Sequence, residues 1–182
     1  LSFGLRSDWQ SFDGERGFSG SYQGLSGNTS VSYGVTEELT LRAGYSNVFG
    51  GLAIEDNYEF WRSGGWNYAG LRPSRAENFT LGADYAAGDL RLGGEMFLTQ
   101  VTDARSWGGN FDFESKGFNL GATYGWDGGF ARLTYSNSKV KVNGTVSNSY
   151  DAVDFGAPLG QVLALEVQQT LGDSGWTLGG GL

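Results

Sequence analysis

The sequence predicts an all-β chain, an antiparallel transmembrane β-barrel meander of about nine strands. Three observations predict it. Apolar residues alternate with small polar ones along most of the chain, the period of a strand whose two faces meet different surroundings. The links between the alternating runs are short and long in turn, which matches tight periplasmic turns and long extracellular loops. Glycine makes up 32 of 182 residues against 2 Pro, far above the roughly 7% usual in proteins and without the every-third-residue period of collagen.

Taken in order, Phe3 and Leu5 open the first run, and Val31, Tyr33 and Val35 form the second. Leu39, Leu41, Ala43 and Tyr45 alternate with Thr40, Arg42, Gly44 and Ser46. Phe79, Leu81, Ala83 and Tyr85 do the same against Thr80, Gly82 and Asp84. Leu90, Leu92, Gly94, Met96 and Leu98 stand against Arg91, Gly93, Glu95, Phe97 and Thr99, with Phe97 the one large residue on the polar side. Phe118, Leu120, Ala122, Tyr124 and Trp126 follow, then Ala131, Leu133 and Tyr135 against Arg132, Thr134 and Ser136. Leu163, Leu165 and Val167, then Trp176, Leu178 and Leu182, complete the set. Short links fall at 36–38, 88–89, 127–129 and 172–175; long ones at 13–25, 48–77, 104–113 and 141–160.

The two faces differ as a membrane requires. The polar side is mostly Gly, Ser, Thr and Asn, with a few charges at Arg6, Asp8, Arg42, Asp84, Arg91, Glu95, Arg132 and Glu166, which suits a wet or plugged lumen. A soluble sandwich would place its apolar side inward and large charged residues outside. Tyr33, Tyr85, Tyr124, Trp126 and Trp176 all fall beside the short turns, where amphipathic rings form a girdle at headgroup level.

Composition excludes much chemistry. With no Cys and no His, the chain lacks disulfides, thiolate metal sites and the commonest general base and haem ligand. A net charge of −8 disfavours nucleic acid, whose phosphates need a basic surface. No stretch approaches the roughly 20 consecutive apolar residues of a membrane helix. The N-terminal LSFGLRSDWQ has neither the basic region nor the apolar core of a signal peptide. Both ends read as strand, as in a piece cut from a longer barrel. No enzyme activity and no cofactor are expected.

An ordered series of motifs carries a resemblance. The run GNTSVSYGVTEELTLRAGYSNVFGG resembles the hairpin of TonB-dependent outer-membrane receptors that precedes a long extracellular loop. LRPSRAENFTLGADY is similar to the segment by which that loop re-enters the barrel, GDLRLGGEMFLTQVTDAR to the next strand, and NFDFESKGFNLGATYGWDGGFARLTYSNSKV to the family's "S-K-G-x-E" hairpin. Ser74 and Asn119 stand where the family usually has Glu, and Val48 to Gly51 replace the usual start of the long loop. The resemblance implies a segment of a roughly 22-stranded barrel, 1–182 being barrel throughout, with the plug domain and closing strands outside this chain. It further implies outer-membrane lipid as surroundings, coupling to the TonB system through that plug, and uptake of a metal chelate such as a ferric siderophore. The alternative is a complete small barrel of about 8–10 strands with a structural or adhesive role.

The ligand candidates lie in the longest loop. Residues 48–77 concentrate aromatics and arginines, and Tyr58, Trp61, Arg62, Trp66, Tyr68, Arg72 and Arg75 are the expected contacts. Ring faces and guanidinium groups suit a flat, anionic, partly aromatic chelate. The competing reading is that these aromatics pack into a small core of their own, with the arginines paired to Glu55, Asp56 and Glu59. Other patterns carry less. Glu37 and Glu38 read as a solvated turn, and Glu77 and Asn78 as turn and rim residues. Asn28, Asn78 and Asn143 match a glycosylation pattern by chance. Asp103, Asp112 and Glu114 are a loose Ca²⁺ candidate without EF-hand spacing.

Overall fold

The alternating runs become strands of one sheet. The computed structural model describes residues 1–13, 19–51, 72–106, 109–147 and 160–182. In chain order the strands are β1 (Ser2–Asp13), β2 (Ser19–Gly34), β3 (Leu39–Gly51), β4 (Ser74–Ala87), β5 (Leu90–Ser106), β6 (Gly109–Trp126), β7 (Gly129–Val142), β8 (Thr145–Ser147), β9 (Gly160–Thr170) and β10 (Thr177–Gly181). Each pairs antiparallel with the next along β1 to β7, β9 and β10, while β8 pairs with the top of β7. Among the described residues the sheet is open, with β1 and β10 at its edges.

Register fixes the faces. Leu41 pairs with Tyr33 and Ala83, Leu81 with Met96, Leu92 with Ala122 and Leu133 with Leu165. One face is therefore continuously apolar, and it is open: Leu81 is 58% exposed, Met96 61% and Leu163 66%. Burial is confined to few apolar side chains among the described residues, namely Phe49, Ala104, Phe113 and Val140. An apolar face this large left uncovered is the face a bilayer covers.

The strands outrun the hydrocarbon. A tilted strand crosses it in about 9–11 residues, whereas β5 and β6 run 17 and 18 residues. In the excess, polarity changes sides. On β6 the positions in phase with Leu120 and Phe118 become Lys116 and Glu114, and the positions in phase with Asn119 become Ser115 and Phe113. On β7 Leu133 and Tyr135 give way to Lys139 and Lys141, while Val140 and Val142 take the other side. Phe113 and Val140, the latter 1% exposed, pack there with Val101, Phe111 and Val142. Above the membrane the strands thus obey the water rule, apolar side in and polar side out.

This inversion explains where sequence reading fell short. Links expected at 13–25 and 104–113 are largely strand: β2 begins at Ser19, and β5 and β6 continue to Ser106 and from Gly109. The alternation marks contact with lipid, and it stops where lipid stops although the ladder continues. Glu77 and Asn78 likewise lie inside β4. Within the link expected at 141–160, Asn143 and Gly144 take φ of 50° and 78°, as both central residues of a type I′ turn must, and close the β7–β8 hairpin.

The short links are as expected. Gly88 supplies a φ of 55° at the β4–β5 turn. At the β2–β3 turn the Thr36 hydroxyl accepts the Glu38 and Leu39 N–H groups at 3.2 and 3.1 Å and donates to the Glu38 carboxylate at 2.9 Å, so Thr36 and Glu38 cap the turn while Glu37 is exposed. Residues Gly172–Ser174 form a single 3₁₀ turn between β9 and β10. Tyr33, Tyr85, Tyr124, Trp126 and Trp176 all remain exposed near these turns, where the girdle was expected.

Two tests follow from the faces. Leu81→Arg and Leu120→Arg are expected to lose about 2–4 kcal/mol each near the bilayer midplane, read as a lowered urea midpoint of the full-length protein refolded in vesicles. On β6, a side chain at Gly117 would meet the Asn137 carbonyl, whereas Gly121 has nothing within 4 Å. Gly117→Ala is therefore expected to cost about 1–3 kcal/mol by overpacking and Gly121→Ala to be near neutral, measured in the same titration.

Candidate functional site

The polar face carries a charged network built across three strands. Arg42 on β3 donates through Nε to Asp84 at 2.7 Å and through Nη1 to Glu95 at 2.6 Å. Asp84 is on β4 and Glu95 on β5, so the guanidinium must pass over the intervening strand. It passes at Gly82, the register partner of both Arg42 and Glu95. A Cβ there would stand 3.1 Å from Arg42 Cζ and 2.8 Å from the Gly94 carbonyl oxygen. The glycine is thus the gap that lets one arginine serve two carboxylates.

Similar pairs line the rest of this face. Arg132 and Glu166 are direct register partners 3.5 Å apart. Arg6 meets Asp8 at 2.8 Å, the Ser26 hydroxyl donates to Asp8 at 3.4 Å and accepts the Phe49 N–H at 2.9 Å. A groove of about 380 Å³ lies between Asp84, Arg91, Gly93, Gly121, Arg132 and Thr134. All of these are on the polar side of their strands, and the paired glycines Gly93 and Gly121 form its floor. The wall is shallow and balanced in charge, which suits a protein or water surface lying against it.

At the loop end the structure places two of the expected ligand contacts. Arg72 is well exposed and lies 3.6 Å from the Asp103 carboxylate. Arg75 is engaged at the loop base: its Nη1 donates to Asn47 Oδ1 and, at 3.3 Å, to the Leu25 carbonyl. Asn47 and Tyr45 both donate to Glu77 at 2.8 Å. Tyr58, Trp61, Arg62, Trp66 and Tyr68 lie outside the described residues, as do Glu55, Asp56 and Glu59.

Next to this base is a cleft of about 270 Å³ lined by Arg75, Glu77, Gln100, Asp112, Glu114 and Lys141. Lys141 approaches Glu114 at 3.2 Å. That hydrogen bond holds the Glu114 carboxyl below its usual value against the opposing effect of burial, with a further hydrogen bond from Gln100 acting the same way; the group lies beyond the membrane-spanning part of β6. Asp112 accepts the Asp103 N–H at 3.1 Å. Among the described residues no group of acidic side chains is arranged to hold a metal ion, so Asp103, Asp112 and Glu114 serve the ladder and an ion pair. Sequence reading noted Arg42, Asp84 and Glu95 singly and missed their union; the glycine at the middle register position was the available signal.

Residues 1–181 match the family described as TonB dependent receptor-like, beta-barrel. The chain belongs to that family, and its strands are those of a bacterial outer-membrane β-barrel. It is 26% identical to the heme transporter BhuA of Brucella ovis and to that of Brucella abortus, over 98% of this chain and 28% of theirs. Its fold resembles the FrpB iron transporter of Neisseria meningitidis (F3-3 variant), with a TM-score of 0.71 at 20% identity over 97% of this chain and 28% of that one. It also resembles the copper transporter OprC, with a TM-score of 0.66 at 17% identity over 97% of this chain and 31% of that one. The chain therefore spans less than a third of the length of the relatives it matches.

In this setting the polar face lines the lumen and the apolar face meets lipid. Removing the bridging charge by Arg42→Gln leaves Asp84 and Glu95 facing each other unneutralised. Because Arg42 is 40% exposed, the expected loss is about 1 kcal/mol, and it should shrink in the Arg42→Gln/Glu95→Gln double variant, read from urea midpoints in vesicles.

Proposed function

We propose that this chain supplies wall and loop to an outer-membrane receptor that takes up a metal chelate, with a ferric siderophore as the cargo class. The observation that carries the reading is the content of residues 48–77, where five aromatic side chains between β3 and β4, Tyr58, Phe60, Trp61, Trp66 and Tyr68, accompany Arg62 and Arg72, while Phe49 lies buried in β3 and Arg75 stands on β4. Rings stack on catecholate or similar planes, and guanidinium groups pair with the chelate's negative charge. Exposed Arg72 supports this, while Arg75 anchors the loop base. The barrel makes and breaks no bond; it captures the cargo, and a plug domain outside this chain, drawn on by the TonB system, opens the path inward.

The haem-transporter relatives favour a second reading, haem as cargo. Against it, these 182 residues contain no His, the usual haem ligand. The two readings separate in one measurement on the full-length protein, quenching of Trp fluorescence by a panel of ferric siderophores and by hemin. Tight quenching by one siderophore class, weakened about tenfold or more in Trp61→Ala/Arg62→Gln, is expected. Tight binding of hemin alone would overturn the siderophore reading.

A further inference from the structure

The chain has three lysines, Lys116, Lys139 and Lys141, and all three stand on the adjacent strands β6 and β7. Their parity is that of Phe118, Leu120, Leu133 and Tyr135, so they face outward, away from the lumen. They begin just beyond the Phe118–Tyr135 ring pair, whose centroids are 5.8 Å apart, on the extracellular side where polarity inverts. That height is the headgroup level of the outer leaflet.

Lys116 and Lys139 are direct register partners. Side chains so placed have Cβ atoms about 5 Å apart, and like charges there repel. Lys141 is paired to Glu114, and Lys116 acts on that carboxylate only through space. Among the described residues neither Lys116 nor Lys139 carries an ion pair, and both are exposed. The carboxylate of Asp112 is taken up by the Asp103 N–H. Glu114 is thus engaged by Lys141, and among the described residues the ammonium groups of Lys116 and Lys139 have no ion-pair partner in a chain whose net charge is −8. Arg6, Arg42, Arg91 and Arg132 sit on the opposite, lumenal side, and Arg75, which has the outward parity on β4, is engaged by Asn47 and the Leu25 carbonyl. A lysine stem can lie along apolar rings while its ammonium stays in the headgroup layer, and an anion between two such groups turns their repulsion into attraction.

We propose that Lys116 and Lys139 hold the phosphate of an outer-leaflet lipid, with Lys141 at the margin and acyl chains along Phe118, Leu120, Leu133 and Tyr135. The site rests on the membrane orientation of the sheet and is independent of the cargo. Its occupant is a phosphorylated lipid, because the ammonium pair continues directly from the acyl-facing surface. The test is native mass spectrometry of the full-length protein in mild detergent, titrated with lipid A carrying both phosphates. The wild type is expected to retain the lipid, Lys116→Gln/Lys139→Gln to retain it about tenfold less or weaker, and Lys116→Arg/Lys139→Arg to keep it. The charge-preserving pair separates lost binding from lost folding. Undiminished retention in the glutamine pair, equal retention of lipid A stripped of both phosphates, or full displacement by excess inorganic phosphate would each overturn the proposal.

Discussion

Hydrocarbon offers no hydrogen-bond partner to a peptide group, so every backbone N–H and C=O that crosses it must be paired within the protein. The continuous antiparallel ladder from β1 through β7 to β9 and β10 meets that demand between the described strands, all but the outer edges of β1 and β10. Everything else in this chain is arranged around the ladder. Side chains need not form a core, and few of the described ones are buried; the lipid takes the place that a second sheet takes in a sandwich. Because the ladder and not the core fixes geometry, each residue's face follows from its register alone.

That freedom leaves the lumenal side open to small residues and to long ones that reach across them. Gly82 lets Arg42 cross β4 to Glu95, and Gly93 with Gly121 forms the floor of a shallow groove. Where two backbones approach most closely, as at Gly117 beside Asn137, no side chain fits at all. The glycines that mark the composition therefore have separate causes, contact between strands in some places and passage for a charged side chain in others. The described charges on this wall, Arg6, Arg42, Arg91 and Arg132 against Asp8, Asp84, Glu95 and Glu166, balance one another, so this stretch presents no strong field of its own.

The extracellular ends of the strands follow different physics from their middles. There water satisfies any exposed group, and the apolar set moves to the inner side as Phe113, Val140, Val101, Phe111 and Val142. The same β6 and β7 that present Leu120 and Leu133 to lipid present Lys116 and Lys139 two and three repeats of the pleat higher. A single strand thus records where the bilayer ends by the side on which its apolar residues lie. The upper ends of β3 and β4 are also tied together, with Arg75, Asn47, Glu77 and Tyr45 joined by hydrogen bonds.

Alternation in the sequence was enough to identify the strands, the apolar face from Leu41 to Leu165, the short turns and the aromatic girdle, because each depends on neighbours within a few residues. The family resemblance was legible for the same reason, as an ordered series of local patterns. The true strand lengths were not, since outside lipid nothing forces the alternation that betrays a strand, and the Asn143–Gly144 turn lay hidden in what read as a long loop. The bridge from Arg42 to Asp84 and Glu95, the facing pair of Lys116 and Lys139, and the anchoring of Arg75 were decided only by tertiary structure. Each joins residues far apart in the chain, and which of them meet depends on ladder register, a quantity set by all the strands together and written in no single one.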